Sequence, residues 1–400
     1  MTMSGNGARM SPAGWGLLLG LCLLFGAVPL AGQGGSAPAE APENEQPLSP
    51  SSWKLFRRVF SMVQHTYVDP KAPAEIIEGA LESTASLAGP ESAYIRPEDV
   101  RAYRTMKEGG TSARLPLYIT KGHDFARVLT AFPERDMLVS PSDALRTIGG
   151  TPTYDLSYPQ CLIALHGKPG QDVECMFLRE EDWESYTVTL TRVPLPDAEF
   201  IVRPSGGVLV LPSLPASLPR AAASEIAEAS GEILVDLTYC AQGDPEAAVR
   251  TVGLLLGKRT ILVKGDHGEK ELKADGQGLL AGRKIRLLVG ETTARGGEVV
   301  ASALASEGAL CIGSATLGWA PYAEDLPLSN GGILHINTGF FLAPDGEVLS
   351  DHGVEPRIAL ERGEKEPREA FYDRALAAVP PPPEEPGDAG TSGKSESGSA

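Results

Sequence analysis

Basic residues are in short supply in this chain. Across 400 residues, 35 Lys and Arg stand against 52 Asp and Glu, for a net charge of −17. That balance excludes a nucleic-acid partner, because phosphate recognition needs a basic surface and none is supplied. Cysteine is scarce too, with five in all. Cys161, Cys175, Cys240 and Cys311 follow Cys22 at separations that fit no zinc pattern, so neither a metal nor a cofactor is expected. Two readings stand equally for the other four cysteines: a disulfide, for which Cys161–Cys175 is the favoured pair in an exported chain, or four separate buried thiols. Long apolar runs are absent except at residues 15–31 (WGLLLGLCLLFGAVPLA). Two further absences fall in the second half. No lysine occurs between Lys284 and Lys365, and no glutamine follows Gln277.

What is present fits two or three compact units with tails. Apolar residues make up 42% of the chain, enough to build cores. The run at 15–31 follows Arg9 and is short for a bilayer span, which takes about 20 residues. It therefore reads as a signal peptide or N-terminal anchor, with Ala31 as a cleavage point. Cys22 lies mid-run, which argues against a lipoprotein. Export to the periplasm or cell envelope is expected, with any membrane contact made through residues 15–31.

Residues 32–52 form a Pro/Gly/Ala/Glu linker without apolar period, expected to be disordered. Ser51 or Ser52 then caps a helix whose apolar residues Trp53, Phe56, Phe60 and Val63 recur every three to four positions. Tyr67-Val68-Asp69-Pro70 ends it. A second helix carries Ile76, Ile77, Ala80, Leu81 and Leu87 up to Gly89-Pro90, and Ser92 to Asp99 opens a third.

From 115 to 192 the texture is short strands, at 117–119, 126–130, 144–148, 173–178 and 187–190, with one helix near 158–165. Gly149-Gly150 and Lys168-Pro169-Gly170 supply turns. This suits a small, partly open β-barrel. From 206 strands alternate with helices. Strands are expected at 208–211, 232–237, 260–264, 287–290 and 310–313, and helices at 218–230, 245–256 and 296–307. That is the rhythm of a mainly parallel sheet. Two strands at 333–338 and 339–342 follow. Beyond 361 the chain is polar, and residues 363–400 read as a low-complexity tail.

Several segments, in order, resemble the C-terminal processing peptidases, or tail-specific proteases. Tyr67-Val68-Asp69-Pro70, Gly79-Ala80-Leu81 and the segment from Ser92 to Glu98 are similar to that family's N-terminal helical region. Asp143-Ala144-Leu145-Arg146-Thr147-Ile148-Gly149-Gly150-Thr151-Pro152 is similar to the core of a PDZ domain, and Leu165-His166-Gly167-Lys168-Pro169-Gly170 to its hairpin. Ile233-Leu234-Val235-Asp236-Leu237 resembles the family's core strand. Leu334 to Thr338, Ala343-Pro344-Asp345-Gly346 and Gly353-Val354-Glu355-Pro356 resemble its closing segments. The resemblance spans roughly residues 53 to 362. It implies a multidomain α/β protein: an N-terminal helical region (53–110), a PDZ-like small β-barrel (111–195) and a crotonase-like α/β peptidase core (196–362).

The family also implies a serine nucleophile at a helix N-terminus, a lysine general base and a glycine-containing oxyanion loop. Thr293-Ala294-Arg295-Gly296-Gly297-Glu298 falls on the nucleophile segment, which places Arg295 at the serine position. Gly313-Ser314-Ala315-Thr316-Leu317-Gly318-Trp319 falls on the base segment, which places Trp319 at the lysine and Ala323 at the glutamine that follows it. Asp236 to Gly243 falls on the oxyanion loop, with Gly243 the one retained glycine. Arginine is neither this nucleophile nor this base, and tryptophan has no basic nitrogen. The expectation is a pseudopeptidase acting as a peptide- or protein-binding scaffold or regulator among envelope proteins, with oligomerisation open.

The rival is an active serine-type C-terminal processing endopeptidase with a displaced site drawn from Thr292, Thr293, Ser302, His335, His352 and Asp236. A third expectation concerns binding of peptide C-termini. The stretch matching the PDZ carboxylate loop is Arg114-Leu115-Pro116-Leu117, where Pro116 removes an amide donor, so the domain reads as a docking or spacer module. Arg295 beside a helix N-terminus could instead clamp a peptide carboxylate; a solvated loop arginine is the alternative. Trp319 is expected to plug the old cleft.

Overall fold

The computed structural model describes residues 49–380 apart from 108–112, 132–138, 195–197, 204–205, 216, 364–365 and the side chain of Asp351. The apolar run at 15–31 with Cys22 and Ala31, most of the linker at 32–52, and residues 381–400 of the expected tail lie outside the described residues.

The centre is a six-stranded sheet. Its order is Glu199–Arg203, Gly206–Val210, Glu232–Asp236, Ile285–Val289, Leu310–Gly313 and Ile358–Ala359. Only the first pair is antiparallel. The inner strands are continuous apolar runs because both faces are covered. Alternation along each strand divides the residues between two layers. Leu209, Ile233, Val235, Leu287 and Val289 face the helices Arg220–Glu228, Pro245–Leu256 and Gly296–Ser306, meeting Ile226, Val252 and Leu304. Val208, Val210, Leu234, Leu288 and Ile312 face the other way, against Phe371, Tyr372 and Ala375 of the helix Arg368–Ala377. That helix lies in the stretch expected to be a tail. Its ten residues carry only these three buried side chains, too few to set an apolar period.

The helix Pro245–Leu256 begins where its local chemistry dictates. The Asp244 side chain caps the Glu246 amide, Pro245 occupies the first turn, and Gly257 at φ 76° ends the helix.

A second sheet runs Ala93–Ile95, Ile333–Phe341, Arg259–Gly265 and Gly268–Ala274, with Pro321–Pro327 also on Ile333–Phe341. Three expectations are corrected here. Strand Arg259–Gly265 belongs to this sheet rather than to the parallel one. The two strands expected between 333 and 342 are one. Ala93–Ile95 forms a strand before the third helix, Pro97–Lys107.

The third sheet is antiparallel: Leu117–Thr120, Ala126–Ala131, Ala144–Ile148, Asp172–Leu178 and Ser185–Thr191, with Thr151–Pro152 against Ala144–Ile148. It packs on the helix Tyr158–Leu165 around Leu117, Ile119, Leu145, Leu165 and Phe177. Cys161 and Cys175 both belong to this core and are free thiols, each pushed up to about 12 by burial. Of the two readings left open for the cysteines, four separate buried thiols is the one found. Two helices precede the sheets, Pro50–Thr66 and Pro73–Ser86. The first is capped by Ser49 rather than Ser51 or Ser52, its hydroxyl accepting from the Ser52 amide at 3.1 Å.

Candidate functional site

Strand Ile285–Val289 leads through a tight turn into the helix Gly296–Ser306. At the junction stands Arg295, with φ 54° and ψ −123°. A non-glycine residue with positive φ is uncommon and strained. Such a strand-to-helix turn is the geometry that presents a nucleophile. At this turn the residue is an arginine, without a hydroxyl.

The arginine is turned inward and 3% exposed. Its Nη1 donates to the Ala241 carbonyl at 2.9 Å and its Nη2 to the Ile119 carbonyl at 2.7 Å. Nη2 also forms an ion pair with the Glu91 carboxylate, which is 6% exposed. Its guanidinium carbon lies 5.7 Å from the centre of the Tyr158 ring. Burial disfavours the charge, but the adjoining Glu91 carboxylate outweighs it and the pKa is raised. This one side chain thus ties the helix start to the oxyanion-loop segment, to strand Leu117–Thr120 and to the segment before Ala93. A peptide carboxylate at this position would have to displace Glu91. Nor is Arg295 solvated, as the other expectation had it.

The segment expected as the oxyanion loop, Asp236 to Gly243, packs tightly on the helix start. Ala294 N–H donates to the Cys240 carbonyl and Gly296 N–H to the Gln242 carbonyl, both at 3.0 Å. Gly297 N–H donates to Ala294 at 2.9 Å. A Cβ at Gly297 would collide with the Cys240 carbonyl oxygen, and one at Gly296 with Leu214, so both glycines are required by close approach. Gly243 lies against the Arg295 side chain, 3.0 Å from its Cδ to where a Cβ would be. These helix-start amides already have partners within the chain.

Trp319 is brought beside Arg295 through the backbone: the Arg295 N–H donates to the Trp319 carbonyl at 2.7 Å. The two positions read from sequence as the dyad are therefore adjacent. The Trp319 ring meets Phe340 edge-on, with centroids 6.2 Å apart, and its Nε1 has no hydrogen-bond partner among the described residues. It packs against that neighbouring strand instead of plugging the cleft, whose wall here is Pro321 and Ala323.

Glu298, fully buried, holds the loop that carries Trp319. Its Oε1 accepts from the Thr316 hydroxyl and the Gly318 N–H, and its Oε2 from the Trp319 N–H at 2.7 Å. Burial pushes its carboxyl up to about 7 from 4.5, against the opposing pull of those hydrogen bonds. Between these values the folded chain retains a proton that the unfolded chain has released. Stability is accordingly fullest below pH 4.5 and falls as pH rises to 7, by about 3 kcal/mol for this group. Denaturant unfolding of wild type and Glu298→Gln across that range checks it. The variant should lose this component of the slope, and an unchanged slope refutes the assignment.

A cavity of about 160 Å³ remains between the antiparallel sheet, the helix Pro97–Lys107 and the core; Tyr118, Tyr158, Asp244, Arg295, Ala323 and His335 are among its walls. His335 Nδ1 lies 2.6 Å from Asp325 Oδ1, which also accepts from the Tyr103 hydroxyl at 3.1 Å. Asp325 is held well below the usual carboxylate range: burial works against its charge, but bonds from His335 and Lys107 prevail. No Ser, Thr or Cys lines this cavity among the described residues.

Of the other displaced candidates, Thr292, Thr293 and Asp236 gather around residues 237–238, with no histidine lining the pocket there among the described residues, while Ser302 and His352 lie apart. Thr292 Oγ1 donates to the Thr238 carbonyl, and Thr293 Oγ1 to the Leu237 carbonyl at 2.9 Å. Ser302 faces a separate groove near Leu262 and Leu342. Asp236 accepts from Arg368 at 2.9 Å and Tyr372 at 2.6 Å, and His352 is exposed. Sequence reading missed Glu91, whose partner Arg295 is 204 positions away, and Asp325, which pairs with His335 across two neighbouring antiparallel strands.

The stretch expected as a carboxylate loop has spent its donors. The Leu115 N–H goes to Leu165 at 2.9 Å and the Leu117 N–H to Leu115 at 2.7 Å. Pro116 offers none. The Arg114 guanidinium covers the Leu115 and Leu117 carbonyls.

A family model described as peptidase family S41 matches residues 207–360, which hold most of the parallel sheet, the helices on one of its faces and most of the second sheet. Residues 207–360 thus carry an S41 domain, and the chain resembles that family's C-terminal processing peptidases. Two sequences from Staphylococcus epidermidis, each named a probable CtpA-like serine protease, are 20% identical to it over 322 residues. The match takes in 77% of this chain and 65% of theirs, so the chain spans just under two thirds of those relatives. Among solved structures, a photosystem II D1 C-terminal processing protease shares its fold, with a TM-score of 0.60 and 20% identity over 78% of this chain and 87% of that one.

Proposed function

We propose that this S41 chain is a catalytically silent peptidase that has kept its frame as a scaffold or regulator binding other proteins in the cell envelope. The observation that carries the reading is Arg295: it occupies the nucleophile turn, buried, charged and bonded to Glu91, Ile119 and Ala241. A guanidinium cannot attack a peptide carbonyl or accept its proton. Trp319 supplies no base in the neighbouring place, and the helix-start amides are engaged. The antiparallel sheet between 113 and 193 with its helix Tyr158–Leu165 is read as PDZ-like, as its Gly149-Gly150 and Lys168-Pro169-Gly170 turns suggest. With the amides of Leu115 and Leu117 taken, it serves here as a docking or spacer module rather than a reader of C-termini. The apolar run at 15–31 supports the envelope location.

The active alternative has one observation in its favour, the Asp325–His335 pair at the cavity; the hydroxyl beside it is the Tyr103 phenol, and no Ser, Thr or Cys lines that cavity among the described residues. The test is incubation of the full chain with unfolded, C-terminally tagged proteins. Intact substrates are expected; cleavage that copurifies with the folded chain and disappears on heating overturns the proposal.

A further inference from the structure

The helix Pro50–Thr66 is 17 residues long and buries none of them. Spaced at 100° per residue, its side chains separate cleanly. Trp53, Leu55, Phe56, Val59, Phe60, Met62 and Val63 occupy one side; Lys54, Arg57, Arg58, Ser61, Gln64 and His65 occupy the other. The helix leans on Pro73–Ser86 through its partly buried Phe60, Val63 and Gln64. Most of the apolar side remains open, with Trp53 51%, Leu55 63%, Val59 52% and Met62 52% exposed. Trp53 and Phe56 stack on each other with centroids 5.4 Å apart. That much apolar surface on one helix calls for a partner.

Charge identifies the partner. The helix has three permanently basic side chains and no carboxylate, within a chain of net charge −17. A second copy pairing through the same helix would set two basic stripes side by side with no carboxylate on either helix to offset them, whereas an anionic lipid surface gains from both sides of the helix. Lys and Arg meet the headgroups while Trp, Phe and Leu enter the acyl boundary, the division of labour of a helix lying in the membrane plane. We propose that Pro50–Thr66 docks this face on an anionic bilayer surface, parallel to it and without crossing it. No helix among the described residues is long and apolar enough to cross a membrane. The apolar run at 15–31 precedes the helix in the sequence and would act as a separate contact. The proposal does not depend on whether the core cuts peptides.

The test uses the full chain carrying Cys22→Ser and Met62→Cys, with an environment-sensitive fluorophore on the new thiol. The other four cysteines are buried, so the label reports the helix face and not the upstream run. Vesicles of equal parts phosphatidylglycerol and phosphatidylcholine should shift the emission to the blue, and added salt should reverse the shift. Lys54→Glu with Arg57→Glu and Arg58→Glu should weaken partitioning roughly a hundredfold or more. Their thermal melts should match wild type, because these side chains are exposed. Trp53→Ser with Leu55→Ser, which keeps the charge, should also lose the shift. An equal shift on pure phosphatidylcholine, no shift on either vesicle, or full binding by the charge-reversed chain overturns the proposal. So does a vesicle-free shift that grows with protein concentration, since a second copy would then cover the face.

Discussion

Arg295→Ala is expected to lower folding stability by about 3–5 kcal/mol. The size of the effect comes from what is left behind. Glu91 is 6% exposed and its charge is balanced by Arg295, so removing the guanidinium strands a carboxylate away from water. The Ala241 and Ile119 carbonyls lose their donors in the same step. Removing both ends of the pair should do much less harm, because two apolar side chains have no charge to desolvate. Arg295→Met with Glu91→Met is expected to recover most of the loss. Denaturant unfolding of the two singles and the double provides the comparison. A single variant within about 1 kcal/mol of wild type would show that the pair is not the clasp described here.

Tyr372→Ala is expected to have a comparable effect, about 3–5 kcal/mol. The ring is completely buried between the parallel sheet and the C-terminal helix, against Val210, Leu234 and Leu288. Its hydroxyl donates to Asp236 at 2.6 Å, at the carboxyl end of the central strand Glu232–Asp236. Burial first, and then that carboxylate, raise the phenol's pKa. Tyr372→Phe keeps the packing and removes only this bond, for about 1 kcal/mol. The ratio between the two variants separates packing from hydrogen bonding. In Tyr372→Ala, limited proteolysis should cut first within Arg368–Ala377. Resistance equal to wild type there would mean that the helix is held by other contacts.

Much of the frame was legible before the structure, because periodicity is a local property. The helix Pro245–Leu256 shows its cap, its first-turn proline and its terminal glycine in the sequence itself. Arg295 and Trp319 could be placed by the order of flanking motifs, and the backbone joins them. Elements with weak local signals were not legible. Gly268–Ala274 is a largely exposed, polar edge strand, and Pro321–Pro327 is bounded by prolines that read as breakers. Arg368–Ala377 packs through too few residues to show a period. The content of the site was harder still. Glu91 follows Gly89-Pro90 and reads as part of a turn, yet it meets Arg295 across 204 positions of sequence. Long-range charge pairing has no spacing rule, so whether Arg295 was solvated, free to clamp a ligand or internally paired could be learned only from the folded chain.

Silence of the S41 site is tested most directly by a serine-directed fluorophosphonate probe on the full chain, read by intact mass and peptide mapping. No adduct is expected at any serine or threonine, with an active relative of the same family labelled in parallel. A stoichiometric adduct that requires the folded chain, at Thr292, Thr293, Ser302 or any other hydroxyl, would contradict a silent site and identify the displaced nucleophile.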